Sequence, residues 1–525
     1  MGYHTILYTQ LININSGGIV NMPGTAKKTT KHRVKSISKQ HNNITKSTAK
    51  KHNTAHQNKN TKNKWLCDSI KFRYNELSGG TKIIQIHHHD SKDLTVEVYV
   101  PYGSAIETSN KKGISHLVEH LIFRMNTRLG KITLKDFLKE NGIYSNAYTY
   151  RKHITFYLNG SSNFENFNRM LYVLNQRLLN CSFTKEELDI ERDIVIQELY
   201  KGLDEPNSHK WNLIDEHYYK GHPLGETIIG TVDTLKSITI DDVNELYSRE
   251  FIPSNFVVYI YGNIPDFETN KPAGLVNYYI NTGTGTGSGA NKNRKLWSKS
   301  MGLAAPFNSH KVVGVSDIPE INKKLIDLKR QDKIFAPHIP TKCSEVIKFS
   351  KPDLKQSHIV FLFPTLGLYN PNKHLVAAIT HILRDGQNKK IYNLIRNEHG
   401  LSYVIFVSTD DNVETGYLYI SINVNSDKTE FAIKMLKEIL AAAQKPGFIT
   451  NTELEIYKHA VKAEHDELRK SNAITHFQSR IINYREIHNI DEFYDKYYKI
   501  SLDEINQEAA QLLKLDRAII YTYGG

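Results

Sequence analysis

From residue 94 onward the apolar residues fall into a readable order. In LTVEVYVPYGSAIE (94–107) they alternate, with Val96, Val98 and Val100 on one face, which predicts a half-buried strand. GISHLVEHLIF (113–123) follows, an apolar run interrupted by His116, Glu119 and His120. NAYTYRKHITFYLN (146–159) reads as a further strand and NFENFNRMLYVLNQRLL (163–179) as a helix. FTKEELDIERDIVIQELYKG (183–202) predicts another helix, opened by Thr184 and Glu187 in capping-box spacing. NFVVYIYGN (255–263) closes this stretch as a strand.

Much of that order recurs about 262 to 266 residues later. FTKEELDIERDIVIQE (183–198) aligns with ITNTELEIYKHAVKAE (449–464), matching at Thr184/Thr450, Leu188/Leu454, Val195/Val461 and Glu198/Glu464. ITIDDV (238–243) aligns with ISLDEI (500–505), and VVYIYGN (257–263) with IIYTYGG (519–525). Three matches in the same order imply a duplicated α+β domain. Between the copies, NTGTGTGSGANKNRK (281–295) reads as a flexible insert, with helix expected near 320–330. The expected division is a tail (1–67), a first domain (68–265), a connector (266–345) and a second domain (346–525).

Charge changes the picture only at the start of the chain. Net charge is +13 over 525 residues, but residues 1–67 contain no acid and 12 of the 68 basic residues. The other 458 residues therefore carry 56 basic against 55 acidic groups, which argues against a nucleic-acid-binding body. The tail lacks the apolar residues to fold alone, so a disordered extension is expected. A mitochondrial presequence and an electrostatic tether to nucleic acid or an anionic surface are the alternatives, and a single Arg among twelve bases disfavours the presequence. Three cysteines without CxxC spacing give no disulfide framework. No apolar run reaches the roughly 18 residues of a membrane span. The expectation is a soluble intracellular protein, cytoplasmic or in the mitochondrial matrix.

Chemistry concentrates in two segments. On a helix, His116 and His120 lie one turn apart on one face, where two imidazoles can share a metal ion, and Glu119 falls between them in angle. Three polar residues on a helix surface is the competing reading. In the second segment Glu191 and Glu198 are seven residues apart, on the same stripe as Leu188 and Val195. A carboxylate on such a buried stripe needs positive charge opposite it. A metal on His116 and His120 would supply that charge, with Glu198 as third ligand and Glu191 orienting a ligating histidine. Carboxylates merely emerging at the edge of the stripe remain the alternative. HHHD (87–90) alternates between strand faces and reads as a solvated strand end.

HLVEH (116–120), NAYT (146–149), ERDIVIQE (191–198) and HPLGETIIGTVDTLKSIT (222–239) together resemble the inverzincin peptidases of the insulinase/pitrilysin (M16) family. Two homologous halves with one metal motif most resemble its mitochondrial-processing-peptidase-like branch. The resemblance covers roughly residues 75–525, the connector insert excepted. It implies an α+β fold of two sheet-plus-helix domains, half of a clamshell. It also implies one zinc ion per chain on His116, His120 and Glu198, with Glu119 as general base and Glu191 as supporting acid. Asn146 and Ala147 would line the substrate groove. In RNEHGLSY (396–403), Arg396 and Tyr403 match the family's substrate-binding pair, which in the family closes over the metal from the opposite side. The chain departs from the pattern at FRMNT (123–127), where a Gly-Thr segment is usual, and in a second half without HxxEH, where Tyr457 stands for Glu191.

The resemblance therefore implies a zinc endopeptidase that binds peptide or presequence-like segments as an added strand and acts as a homodimer with two shared sites. A heterodimer with a related chain is the alternative assembly. A non-catalytic scaffold subunit is the alternative function.

Overall fold

In the computed structural model, residues 70–124, 128–129, 132–269, 346–385, 390–468 and 490–525 are described, together with short pieces at 273, 276, 322–325, 335–336, 338, 340, 476–477, 481–482 and 485–487. The basic tail, the 281–295 insert, most of the connector and residues 125–127 of the FRMNT segment lie outside the described residues.

Strands β1 (Ile70–Glu76), β2 (Lys82–His88) and β3 (Asp93–Val100) precede helix α1 (Ile114–Arg124). Strands β4 (Tyr144–Thr149) and β5 (Ile154–Ser161) form a hairpin. Helices α2 (Phe164–Leu179), α3 (Lys185–Asp204), α4 (Pro206–Tyr218) and α5 (Ile240–Glu250) then lead to β6 (Val257–Gly262). The first sheet has the order β1-β2-β6-β3-β5-β4, with β2 and β6 parallel and the other neighbours antiparallel. Val96, Val98 and Val100 lie buried together with Leu117, Leu121, Met170 and Leu174 of α1 and α2, as the alternation predicts.

The second half runs β7 (Val346–Ser350), β8 (Gln356–Thr365), α6 (Lys373–Asp385), β9 (Ile405–Asp411), β10 (Gly416–Asn425), α7 (Thr429–Ala442), α8 (Asn451–Glu467), α9 (Leu502–Leu512) and β11 (Ile519–Gly524). Its sheet has the order β9-β10-β8-β11-β7, with only β11 and β7 parallel. Duplication is visible in the caps. Thr184/Glu187 opens α3 and Thr450/Glu453 opens α8, each as a full capping box. Thr239/Asp242 and Ser501/Glu504 do the same for α5 and α9. Each satisfies helix donors left open at the first turn, a contribution of about 1 kcal/mol.

The halves share their cores. Ile70, Phe72, Ile84, Ile86 and Tyr259 of the first sheet join Phe361, Ile379, Ile420 and Phe477 in one apolar cluster. Helix α4 lies against the outer face of the second sheet, packing Ile214 and Tyr218 against Val360, Leu362, Tyr417 and Tyr521. Histidines and tyrosines hold this seam. His209 pairs with the Tyr523 hydroxyl and His217 with that of Tyr521, each at 3.1 Å.

Burial disfavours charge along this seam. It lowers His209 and His217 and, with the nearby Lys210 ammonium, brings His358 down to about 4. A histidine held neutral when folded takes up its proton more readily when unfolded, near pH 6.5. The stability these groups contribute is therefore complete above pH 6.5 and lost as pH falls toward 4. The urea midpoint should drop between pH 7 and pH 5, and His358→Gln should make that drop smaller. An equal drop in the variant would remove His358 from the account.

The HHHD segment departs from expectation at His87, while His89 and Asp90 are exposed beyond the strand end. His87 is buried, stacks on Phe267 at 4.5 Å and accepts a hydrogen bond from the Ile264 N–H at 3.1 Å. Burial lowers its pKa to about 4, so it is a neutral core residue and not a solvated strand end.

Candidate metal centre

Helix α1 is seated by backbone contacts that admit no side chain. Gly113 (φ +92°) and Gly230 (φ +82°) sit back to back, and a Cβ on either would lie 2.4 Å from a carbonyl oxygen, of Ile229 or Lys112 respectively. The Glu107 carboxylate accepts from the Gly113 and Ser115 N–H groups at 2.8 and 2.7 Å. An anion there satisfies open donors and complements the positive end of the helix. Burial raises the pKa of Glu107, and these hydrogen bonds oppose the rise. Helix α3 is fixed across from α1 by Arg192, whose guanidinium donates to the Leu235 and Ile238 carbonyls at 3.0 and 2.7 Å.

These two helices bring His116, His120 and Glu198 together, with one ligating atom from each lying within 4.8 Å of the others. Glu198 Oε2 is 3.3 Å from His116 Nε2 and 3.5 Å from His120 Nε2. His120 Nδ1 donates to Glu191 Oε2 at 3.2 Å, which leaves His120 Nε2 facing Glu198. Glu191 is buried, as the stripe predicts, and its other oxygen accepts from Arg124 at 2.9 Å. Breaking such a buried pair costs about 3–5 kcal/mol, so the Arg124 guanidinium is what allows a carboxylate there, with His120 as a further donor. Glu198 corrects the reading of the stripe: its side chain is 49% exposed, at the edge of the stripe and open to an incoming ion.

The charges fit a cation. Burial alone would lower His116, but the Glu119 and Glu198 carboxylates beside it carry it up to about 9. Hydrogen bonds from His116 and His120 hold Glu198 well below the usual carboxylate range. Two imidazoles and an ionised carboxylate converging on one point, with a second carboxylate orienting one imidazole, is a zinc donor set. Glu119 lies beside it, nearly buried, with Oε2 accepting from the Thr149 hydroxyl at 2.8 Å.

The remaining candidates fall in two places. Asn146 and Ala147 lie on β4, the edge strand of the first sheet. Ala147 is buried and its N–H donates to Asn146 Oδ1 at 3.0 Å. The Asn146 amide in turn donates to the Tyr144 and Tyr148 hydroxyls at 3.3 and 3.0 Å. Arg396 and Tyr403 belong to the second half. The Arg396 guanidinium stacks between the rings of Tyr403 (4.5 Å) and Tyr392 (5.0 Å), and Tyr403 is 79% exposed. Arg396 sits on a short π-helix, Asn393–Glu398, a form frequent at functional sites. Among the described residues, neither side chain hydrogen-bonds or ion-pairs with His116, Glu119, His120 or Glu198.

Among the described residues the second half holds no such cluster, and the repeat shows why. Tyr457, at the place of Glu191, is buried against His381, and Glu464, at the place of Glu198, accepts from the Tyr494 hydroxyl at 2.8 Å. Sequence pattern missed Glu107, Arg124 and Thr149 because each acts across a fold contact; only the position of Arg124, one turn beyond His120, hinted at its part.

Residues 82–232 match the family profile "Insulinase (Peptidase family M16)", and residues 311–461 match "Peptidase M16 inactive domain". The two matches together span more than half of the chain. It belongs to the M16 peptidase family. An uncharacterized zinc protease of Mycobacterium leprae is 20% identical to this M16 chain over 442 residues, 83% of the chain and 88% of the relative. A probable mitochondrial-processing peptidase subunit beta of Arabidopsis thaliana is 27% identical over 186 residues, 35% of each. Among solved structures, a protease from Helicobacter pylori has a similar fold, with a TM-score of 0.66 at 16% identity, over 86% of this M16 chain and 99% of the other. Among the described residues, no helix is long and apolar enough to cross a membrane.

Proposed function

We infer that the chain is a zinc-dependent endopeptidase acting on peptides or unfolded, presequence-like segments, with one zinc ion on His116, His120 and Glu198. The observation that carries this reading is the convergence of those three side chains beside Glu119. Bound zinc supplies Lewis-acid polarisation and makes water acidic near neutral pH. The chain's own residues supply the rest. Glu119 accepts the proton of the attacking water and returns it to the leaving amine nitrogen. Glu191, through His120, keeps one imidazole nitrogen aimed at the ion. The outer edge of β4, unpaired among the described residues, receives the substrate as an added strand through main-chain hydrogen bonds.

Zinc analysis and turnover of unfolded peptides test the core of the reading. One zinc per chain with cleavage abolished by chelation is expected. Stoichiometric zinc with no cleavage of any unfolded peptide would leave the scaffold reading instead.

Arg396 and Tyr403 act, on this reading, at the site of a second copy, because in the family they close over the metal from the opposite side. The exposure of Tyr403 favours that arrangement, as does the lack, among the described residues, of any hydrogen bond or ion pair from either side chain to its own chain's ligands. A homodimer with two shared sites follows. Mixing a His116→Ala chain with a Tyr403→Phe chain should recover part of the activity that each lacks alone. No recovery after subunit exchange has been verified would rule sharing out.

A further inference from the structure

Glu119 presents its two oxygens differently. Oε2 accepts from the Thr149 hydroxyl at 2.8 Å, while Oε1 has no hydrogen-bond partner among the described residues. His116 Nδ1, at 3.7 Å from Oε2, is too far for a hydrogen bond. A carboxylate on a nearly buried helix position retains rotation about its last torsion, which is broad. One donor fixed in space removes that freedom and directs the second oxygen.

Thr149 is itself held rigidly. It is the last residue of β4 and pairs with Ile154 at the closed end of the hairpin. The turn beyond it is tied at successive positions. The Tyr150 N–H donates to the His153 carbonyl at 2.8 Å, and the Tyr150 and Arg151 carbonyls accept from the Ser104 and Ala105 N–H groups. Arg151 binds Asp215 of α4 at 2.7 Å, and Lys152 binds the buried Glu414 of the second half at 2.5 Å. The hairpin thus carries a hydroxyl to Glu119 from a turn anchored in both halves.

We propose that Thr149 is a positioning residue, whose hydroxyl locks Glu119 Oε2 so that Oε1 alone meets the attacking water. This rests on the peptidase reading above. A donor of fixed direction keeps a base within the narrow geometry that proton transfer demands, where small misplacements cost up to about 100-fold in rate.

Two substitutions separate this role from packing. Thr149→Val keeps shape and loses the hydroxyl, whereas Thr149→Ser keeps the hydroxyl. Expected for Val is a fall in kcat of about 10- to 100-fold with KM, zinc content and melting temperature unchanged. Ser should remain within a few-fold of wild type. In a Glu119→Gln background the Val change should cost nothing further. Crystals of zinc-loaded Thr149→Val should show the Glu119 carboxylate turned from its wild-type orientation, a readout independent of any substrate. An unchanged orientation in Val overturns the proposal even if no substrate is found. So do wild-type kcat in Val, zinc loss in Val, or additive losses in the double variant. Failure of wild-type protein to cleave peptides counts against the peptidase reading alone.

Discussion

Glu119→Gln should yield a folded, zinc-loaded protein that cleaves peptides about 10²- to 10⁴-fold more slowly than wild type. The amide matches the carboxylate in shape and still accepts from Thr149 through its oxygen. What it lacks is the ability to take a proton. Glu119 belongs neither to the converging donor set nor to the Glu191–Arg124 pair, so metal content and melting temperature should be preserved. Kinetics on one unfolded peptide, with zinc measured on the same samples, makes the comparison. Retention of wild-type turnover in a zinc-loaded variant would remove Glu119 from the proton-transfer role.

His120→Ala should have the opposite profile: an intact fold and no retained metal. It removes one imidazole and leaves His116 and the half-exposed Glu198, two donors where a catalytic zinc site takes three. Glu191 loses one partner but keeps Arg124 at 2.9 Å, so the buried carboxylate is not stranded and α1 stays docked on α3. Any species that binds only the folded state raises the melting temperature with its concentration. Zinc titration should therefore raise the melting temperature of chelator-treated wild type and leave that of His120→Ala unmoved. An equal zinc-dependent rise in the variant would place the ion elsewhere.

Local patterns made some of this visible. Helical spacing put His116 and His120 on one face, and the stripe through Leu188 and Val195 identified the burial of Glu191. Three segments aligned in the same order, one of them matching Thr184 with Thr450, pointed to the duplication. Other parts were closed to such reasoning because they depend on which segments meet. The loop carboxylate of Glu107 becomes the cap of α1 only when the segments are folded together. The hydroxyl of Thr149 reaches Glu119 across thirty residues, and Lys152 reaches Glu414 across 262. His87 misled because strand alternation says which face a residue occupies, not what covers that face; Phe267 does. Glu198 misled in the other direction, since a stripe has an edge and a metal ligand must remain reachable.

The strand order has a consequence for synthesis. β2 and β3 are separated by only four residues, yet they are not neighbours: the slot between them is filled by β6, whose residues emerge more than 150 positions later. While the ribosome is still translating that interval, the easiest pairing open to β2 and β3 is a local hairpin that the finished sheet does not contain. Closing the slot means paying the entropy of a long loop first, the mark of a slow-forming topology. All three converging side chains are therefore in the nascent chain before the sheet that supports them can close. Metal capture is set to follow the arrival of β6, about halfway along the chain.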